Sequence, residues 1–258
     1  MHPIEELSLH FKNIIVQARK EILVFNKYER GINLLEEIEP ELKNNALSFK
    51  DNALFFYNTL AFAHFENKNY DLAAKIYYQI NELYQAGFCE ILMGSPLVAK
   101  KVWDKIPDSE PVKWGKSFLM LIDDNISNPK VPSLLQIRNH LESDLNYLIQ
   151  ADRVDYAENL INCADILVEV NPESYKFIGK ALMTNGFNNI AADFLLKSQK
   201  VIPNDPEIYY FLGQYSYNLG SIDEAINMFG QCLDINNAYT PARLMIEKLK
   251  DKTKIPHS

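Results

Sequence analysis

The sequence predicts an all-α protein, a solenoid of antiparallel helix pairs that is irregular in its middle and ends in a capping helix. Three observations predict this fold. The 258 residues include only 9 Gly and 12 Pro, which argues against a turn-dense β fold and against disorder. From Pro206 to Leu219, apolar and small residues follow helical spacing. The helix–turn–helix pattern of that segment also returns at a fixed interval, which is typical of repeat architectures.

The clearest helix pair begins at Pro206. Gly220 ends its first helix, and Ser221 with Glu224 three residues later predicts a capping box at the start of the second helix. Since the turn between the two helices is short, they are expected to form a helical hairpin.

The pattern of this pair is also present 34 residues earlier. Aromatic matches aromatic, both glycines match, and alanine matches alanine. The later pair has Tyr209, Leu212, Gly213, Gly220, Ala225 and Phe229 where the earlier one has Tyr175, Ile178, Gly179, Gly186, Ala191 and Leu195. Another step of 34 residues places Ala157 and Ala164 opposite Ala191 and Ser198. A sustained period of this length resembles the tetratricopeptide repeat (TPR) family.

The TPR resemblance implies a right-handed superhelical solenoid. In such repeats a glycine of the first helix and an alanine of the second lie where the helices cross, because larger side chains would hold the backbones apart. The resemblance also implies that the first helices line a concave groove and the second helices form the outer wall.

Two further helix pairs are predicted in the N-terminal part, residues 1–87. In the pair that starts at Leu54, the corresponding positions hold Tyr57, Leu60, Ala61, Ala73, Tyr77 and Ile80. A degenerate pair starts at Lys12. There Gly31 replaces the small alanine, and Arg19 replaces the glycine that the family usually has.

Residues 88–131 depart from the period and predict an irregular helical connector. Its prolines predict helix boundaries, with helices around 86–93, 96–105 and 111–125 and a longer one at 132–150. Either the solenoid continues here with irregular units, or two lobes meet. Residues 132–258 then hold the C-terminal repeats, which end in the capping helix at 239–250.

Charge and composition argue against several function classes. A net charge of −8 without a basic stripe disfavours nucleic-acid binding, since phosphate contacts need clustered Lys and Arg. No apolar run is long enough for membrane insertion, and residues 1–25 do not resemble a secretory signal. Cys89, Cys163 and Cys232 are distant and odd in number, so they predict no disulfide framework. We therefore expect a cytoplasmic protein.

The chain lacks recognisable motifs for catalysis, metals or cofactors. Gly115-Lys116-Ser117 resembles part of a phosphate-binding loop, but the required earlier glycine is Glu110. We therefore expect these residues in an amphipathic helix. His64 fits a core-facing position, and the cysteines are expected to act as small apolar residues. The sequence predicts no catalytic residues, no metal site and no cofactor.

The register of the repeats predicts the residues of a partner-binding groove. They are Phe55, Asn58, Phe62, Phe65, Lys176, Lys180, Glu207, Tyr210, Gln214, Tyr217 and Asn218. Amide and phenol side chains suit a bound peptide, because amides pair with its backbone and phenols offer rigid contact area. Alternatively, the three phenylalanines pack against a neighbouring helix. The Asn-plus-basic set with which some TPR proteins hold a C-terminal carboxylate is incomplete here.

These features predict a protein–protein interaction module, an adaptor, chaperone or assembly factor that holds a peptide or helix of a partner protein. Two alternatives remain open, a ligand-responsive regulatory sensor and a non-catalytic subunit of an enzyme complex. An enzyme acting alone is not expected. The sequence does not predict the oligomeric state.

Overall fold

The chain is all-α in the computed structural model, which describes residues 3–44, 50–123 and 131–253. These ranges contain fifteen helices and no strand. The helices are α1 (Pro3–Leu23), α2 (Tyr28–Asn44), α3 (Lys50–Glu66), α4 (Tyr70–Gln79), α5 (Leu83–Leu92), α6 (Pro96–Trp103), α7 (Glu110–Ile122), α8 (Leu134–Gln150), α9 (Val154–Asn162), α10 (Ala164–Val170), α11 (Ser174–Thr184), α12 (Asn188–Val201), α13 (Pro206–Asn218), α14 (Ile222–Ile235) and α15 (Thr240–Thr253).

The chain divides into two compact units, Met1–Leu119 and Met120–Ser258. Unit 1 contains the helix pairs α1–α2 and α3–α4, followed by α5 and α6. Unit 2 contains α8 with α9 and α10, then the pairs α11–α12 and α13–α14, and finally α15. The division into 1–87, 88–131 and 132–258 stays a prediction.

The two C-terminal hairpins form as the sequence predicts. The Asp205 carboxylate accepts a hydrogen bond from the Glu207 backbone N–H at 2.9 Å, which caps α13, and Pro206 occupies its first turn. Gly220 ends the hairpin's first helix with φ +78°, a conformation that glycine adopts without a Cβ clash. The predicted capping helix is α15.

The predicted capping box at Ser221 is wrong. Ser221 is the N-cap residue of α14, but its side chain makes no capping hydrogen bond. Its ψ of 72° differs from the extended ψ of 160° at Ser133, where a capping box does form. There the Ser133 hydroxyl accepts from the Gln136 backbone N–H, and the side-chain oxygen Oε1 of Gln136 accepts from the Ser133 backbone N–H.

The glycines of the first helices lie at helix crossings, as expected. A Cβ added to Gly213 would lie 2.6 Å from the Phe229 ring, and one added to Gly179 would lie 3.0 Å from Leu195 Cγ. Ala191 and Ala225, on the second helices, are fully buried. Small residues on both helices therefore permit the close approach of the backbones.

A residue with positive φ follows the first helix of each of five hairpins. These residues are Asn26, Lys68, Asp152, Gly186 and Gly220, with φ values from 52° to 84°. Only two of them are glycines, so the same turn is built from four residue types. The hairpin turn therefore recurs even where the sequence does not mark it with glycine.

The irregular part of unit 1 packs around Trp103, which is fully buried. Its indole N–H donates to the Tyr84 carbonyl at 3.1 Å, and its ring stacks on Tyr84 at 5.3 Å between centroids. Gly87 and Gly115 both abut the indole, where a Cβ would clash. The helices α5, α6 and α7 agree with the predicted ones, except that the predicted end at 125 lies outside the described residues.

Candidate functional site: the faces of the first helices

The predicted groove residues of unit 2 lie on α11 and α13, and Glu142 on α8, which was not predicted, continues their register. Tyr210 follows Lys176 by one repeat length, and Lys176 follows Glu142 by the same interval. Gln214 follows Lys180 in the same way. We call this surface the unit 2 face, and it comprises Glu142, Lys176, Lys180, Glu207, Tyr210, Gln214, Tyr217 and Asn218.

Lys176 lies at the centre of an ion-paired cluster and is only 5% exposed. Its ammonium lies 2.7 Å from the Glu173 carboxylate, 2.6 Å from Asp205 and 3.3 Å from Glu207. Burial alone would lower the pKa of Lys176, but the hydrogen bonds that its ammonium donates to Asp205 and Glu173 outweigh this effect and raise the pKa. This lysine therefore ties α11 to the start of α13 and does not lie on open surface.

Lys180 extends the cluster by one helical turn. Its ammonium lies 3.1 Å from Glu142 on α8 and 3.0 Å from Glu207 on α13. It also lies 5.5 Å from the centroid of the Phe211 ring. Burial works to lower the pKa of Lys180, and the contacts with Glu207 and Glu142 raise it overall. Three first helices are thus joined through one ammonium.

The cluster presents negative charge to its surroundings. Two ammonium groups face four carboxylates, those of Glu142, Glu173, Asp205 and Glu207. The side chains of Glu142, Glu173 and Glu207 are about one-third exposed, whereas that of Lys176 is 6% exposed. Since both lysines are already paired, they cannot hold the terminal carboxylate of a partner without losing these contacts.

The tyrosines of the unit 2 face differ in their surroundings. Tyr210 belongs to the core around α14 and α15, with its ring centroid 5.7 Å from Phe229 and 5.3 Å from Tyr239. The Gln214 amide donates to the Tyr210 hydroxyl at 2.9 Å. Tyr217 is half-buried beside the Lys248 ammonium, and Asn218 is exposed. Tyr210 is therefore a packing residue as well as a surface one.

The predicted groove residues of unit 1 are half-buried on α3. Phe55 and Phe62 pack against the core of α1, α2 and α3, and the Arg19 guanidinium lies 5.1 Å from the Phe55 centroid. Phe65 contacts Tyr70 at 5.6 Å and Phe88 at 6.2 Å between ring centroids. These contacts favour the packing alternative for the three phenylalanines. Asn58 donates to the Leu54 carbonyl of its own helix.

The sequence reasoning missed the corresponding face of α1. Val16, Lys20 and Leu23 precede the positive-φ residue Asn26 by the same intervals at which Tyr210, Gln214 and Tyr217 precede Gly220. All three α1 residues are exposed. The signal was weak because Arg19 stands where a glycine was expected and Asn26 takes the place of the turn glycine.

The other sequence candidates for chemistry have structural roles in the described part of the chain. No group of three or more His, Cys, Asp or Glu side chains there could hold a metal ion. Ser117, in the string that resembles a phosphate-binding loop, lies within α7 and donates its hydroxyl to the Lys113 carbonyl. Burial raises the pKa of the Cys89 thiol to about 12 and that of Cys232 to about 11, so both thiols stay protonated at neutral pH.

Within residues 3–44, 50–123 and 131–253, no helix is both long and apolar enough to cross a bilayer.

Two comparisons place the chain among known proteins. The sequence model described as tetratricopeptide repeat matches residues 206–239. Among solved structures, the crystal structure of yeast Tom70 matches 97% of this chain and 67% of that chain, with 13% sequence identity and a TM-score of 0.30. A TM-score this low supports no functional inference. Residues 206–239 match a tetratricopeptide repeat, a repeat type that is typical of protein–protein interaction modules, and α11–α12 form an equivalent hairpin one period earlier.

Proposed function

We propose that this protein is an adaptor, chaperone or assembly factor that holds a peptide or helix of one partner protein on the unit 2 face. The observation that carries the proposal is the ion-paired cluster around Lys176 and Lys180, which fixes polar side chains of three successive first helices. The free, largely buried cysteines are consistent with a role in the cytoplasm.

The cluster prepares the unit 2 face for binding before a partner arrives. Ion pairs hold the carboxylates of Glu142 and Glu207 in place, so little side-chain entropy remains to be lost on association. A preorganised face of this kind binds more tightly than one whose side chains must first be ordered. The network therefore serves recognition as well as the packing of α8, α11 and α13.

The residues beside the cluster supply the contacts that a peptide needs. Gln214 and Asn218 carry amides that can donate to backbone carbonyls and accept from backbone N–H groups. Tyr217 offers a half-exposed ring next to them. A cleft of about 500 Å³ also lies beside the cluster, lined by Glu173, Asp205 and the apolar residues Ile202, Pro203 and Pro206.

A displayed library of random peptides tests this proposal. Peptides selected on the wild-type chain are measured against a double variant, Gln214→Ala with Asn218→Ala, by fluorescence anisotropy. Both substitutions avoid the core, unlike Tyr210→Ala. We expect at least a tenfold loss of affinity, about 1.4 kcal/mol or more, because the amides contact the peptide backbone.

A matched control exists on the second helix α14. The exposed Asn227 and the half-buried Gln231 have the same chemistry, with the Gln231 side-chain amide 3.4 Å from the Asn227 side-chain oxygen. The Asn227→Ala and Gln231→Ala double variant should keep wild-type affinity. Equal affinity of all three proteins for every selected peptide would refute the assignment of the unit 2 face.

A further inference from the structure

Helix α1 carries an exposed apolar stripe away from its buried face. Leu9, Val16 and Leu23 are 48%, 52% and 52% exposed and lie seven residues apart, which places them on one line along the helix. Phe11 and Ile15, by contrast, are fully buried against α2 and α3. We call the three exposed residues the α1 stripe. Large apolar side chains in a regular row are typical of a docking surface.

The apolar surface continues into the turn that follows α1. Val24 is 65% exposed and Phe25 is 48% exposed. The stripe from Leu9 to Leu23 spans fourteen residue steps, which correspond to about 21 Å of helix. Its length therefore suits about four turns of a helix lying alongside.

The stripe borders α3 rather than standing apart from the rest of unit 1. The Asn52 amide donates to the Ser8 carbonyl at 3.2 Å, and the Arg19 guanidinium donates to the Thr59 hydroxyl at 3.4 Å. These two contacts show that α1 and α3 run in the same direction. Arg19, which covers the Phe55 ring, lies one helical turn from Val16.

Lysines flank the α1 stripe. Lys12 and Lys20 are exposed next to Val16 in the helical register, and Lys27 follows in the turn. The ammonium groups of Lys20 and Lys27 lie 5.7 Å and 5.5 Å from the centroid of the Phe25 ring. Lys12, Lys20 and Lys27 outnumber the exposed Glu5 and Glu6 at the start of α1, and this local surplus of positive charge in a chain of net charge −8 indicates a partner that carries negative charge here.

We propose that the α1 stripe docks an amphipathic helix of a partner protein, with apolar residues at heptad spacing and carboxylates beside them. A row of knobs seven residues apart packs best against a helix with the same repeat, at a crossing angle of about 20°. Carboxylates on such a helix would meet Lys12 and Lys20. This docking surface is separate from the unit 2 face and does not depend on it.

A second copy of the chain fits the α1 stripe poorly. In an antiparallel pair centred on Val16, Lys12 of one copy would lie opposite Lys20 of the other. A parallel pair would place each lysine opposite itself. Like charges in these positions oppose association, whereas an acidic helix is attracted.

The test uses two synthetic peptides of three heptads with leucine at positions a and d. One peptide has Glu at the flanking positions, and its twin has Lys. Anisotropy titration with the wild-type chain should show at least tenfold tighter binding of the Glu peptide. Val16→Asp should weaken that binding at least tenfold, while Ile166→Asp, at a site on α10 that is 53% exposed, should leave it unchanged.

A charge-reversal variant keeps the test independent of folding defects. Lys12→Glu combined with Lys20→Glu should bind the Lys peptide more tightly than the Glu peptide, a reversal that a misfolded chain does not produce. Equal binding of both peptides, or binding of neither, would overturn the proposal. So would a dimer in light scattering that Val16→Asp abolishes, or binding of phosphatidylserine vesicles without binding of the peptide.

Discussion

Substitution of Gly213 by alanine tests whether the crossing of α13 and α14 depends on the missing side chain. In a helix interior, Gly→Ala alone stabilises by about 0.5–1 kcal/mol because it reduces the entropy of the unfolded chain. At Gly213, however, the new Cβ would lie 2.6 Å from the ring of Phe229, which is fully buried. Overpacking of this kind costs about 1–3 kcal/mol. We expect Gly213→Ala to lower the free energy of unfolding by about 1 kcal/mol.

Gly230 on α14 provides the matched control. A Cβ there would meet nothing within 4 Å, so Gly230→Ala should raise the free energy of unfolding by about 0.5–1 kcal/mol. Urea unfolding followed by circular dichroism would measure both variants. Thermal midpoints should then differ by several degrees, at about 2–4 °C per kcal/mol.

A double variant separates the steric cause from other effects. Leu195 occupies the position of Phe229 in the preceding hairpin, where the clash at Gly179 is milder. Phe229→Leu should therefore make Gly213→Ala less harmful, with a coupling energy of about 1 kcal/mol. If Gly213→Ala proves as stabilising as Gly230→Ala, the crossing does not depend on glycine and the reasoning fails.

Three further outcomes are expected. Lys176→Met should lower the free energy of unfolding by about 2 kcal/mol in urea titrations, since it removes the cation that pairs the partly buried carboxylates of Asp205 and Glu173. Lys68→Gly should raise the thermal midpoint by relieving a φ of 61° at an exposed lysine, worth about 0.5–1 kcal/mol; an unchanged midpoint would contradict strain there. Burial lowers the pKa of His64 below its ordinary value of 6.5, with partial opposition from Glu36, Asp71 and Glu39. The unfolded chain therefore binds a proton at His64 more readily than the folded chain, so the free energy of unfolding falls as the pH drops below 6.5. His64→Asn removes this effect, and urea titrations between pH 7 and 5 should show a smaller fall in stability.

The sequence predicts the parts of the fold that depend on local patterns. Gly213, Gly220 and Ala225 mark a crossing and a turn by residue type, and the structure has both where the period places them. Lys68 adopts the same turn although lysine does not favour a positive φ, because packing of the flanking helices imposes the conformation. The α1–α2 pair has Asn26 at that position, so the spacing of glycines does not reveal its register against the other helix pairs.

The sequence predicts where the candidate site lies, but it does not predict which of its charged side chains pair with each other. The register places Lys176 and Glu207 on one face, but it does not show that they meet each other instead of a ligand. Their pairing depends on the distance between α11 and α13 and on the rotamers chosen there. Sequence therefore indicates which residues share a surface, and structure is needed to show which of their charges are already neutralised.

The buried indole at Trp103 also gives the molecule a spectroscopic label. The chain has 2 tryptophans, and both Trp103 and Trp114 are fully buried in unit 1. Unit 2 contains tyrosines but no tryptophan. Selective excitation of tryptophan therefore reports the loosening of unit 1, whereas the far-ultraviolet signal of the helices reports both units. Comparison of the two signals during denaturation would show whether the halves of this repeat protein melt together or in succession.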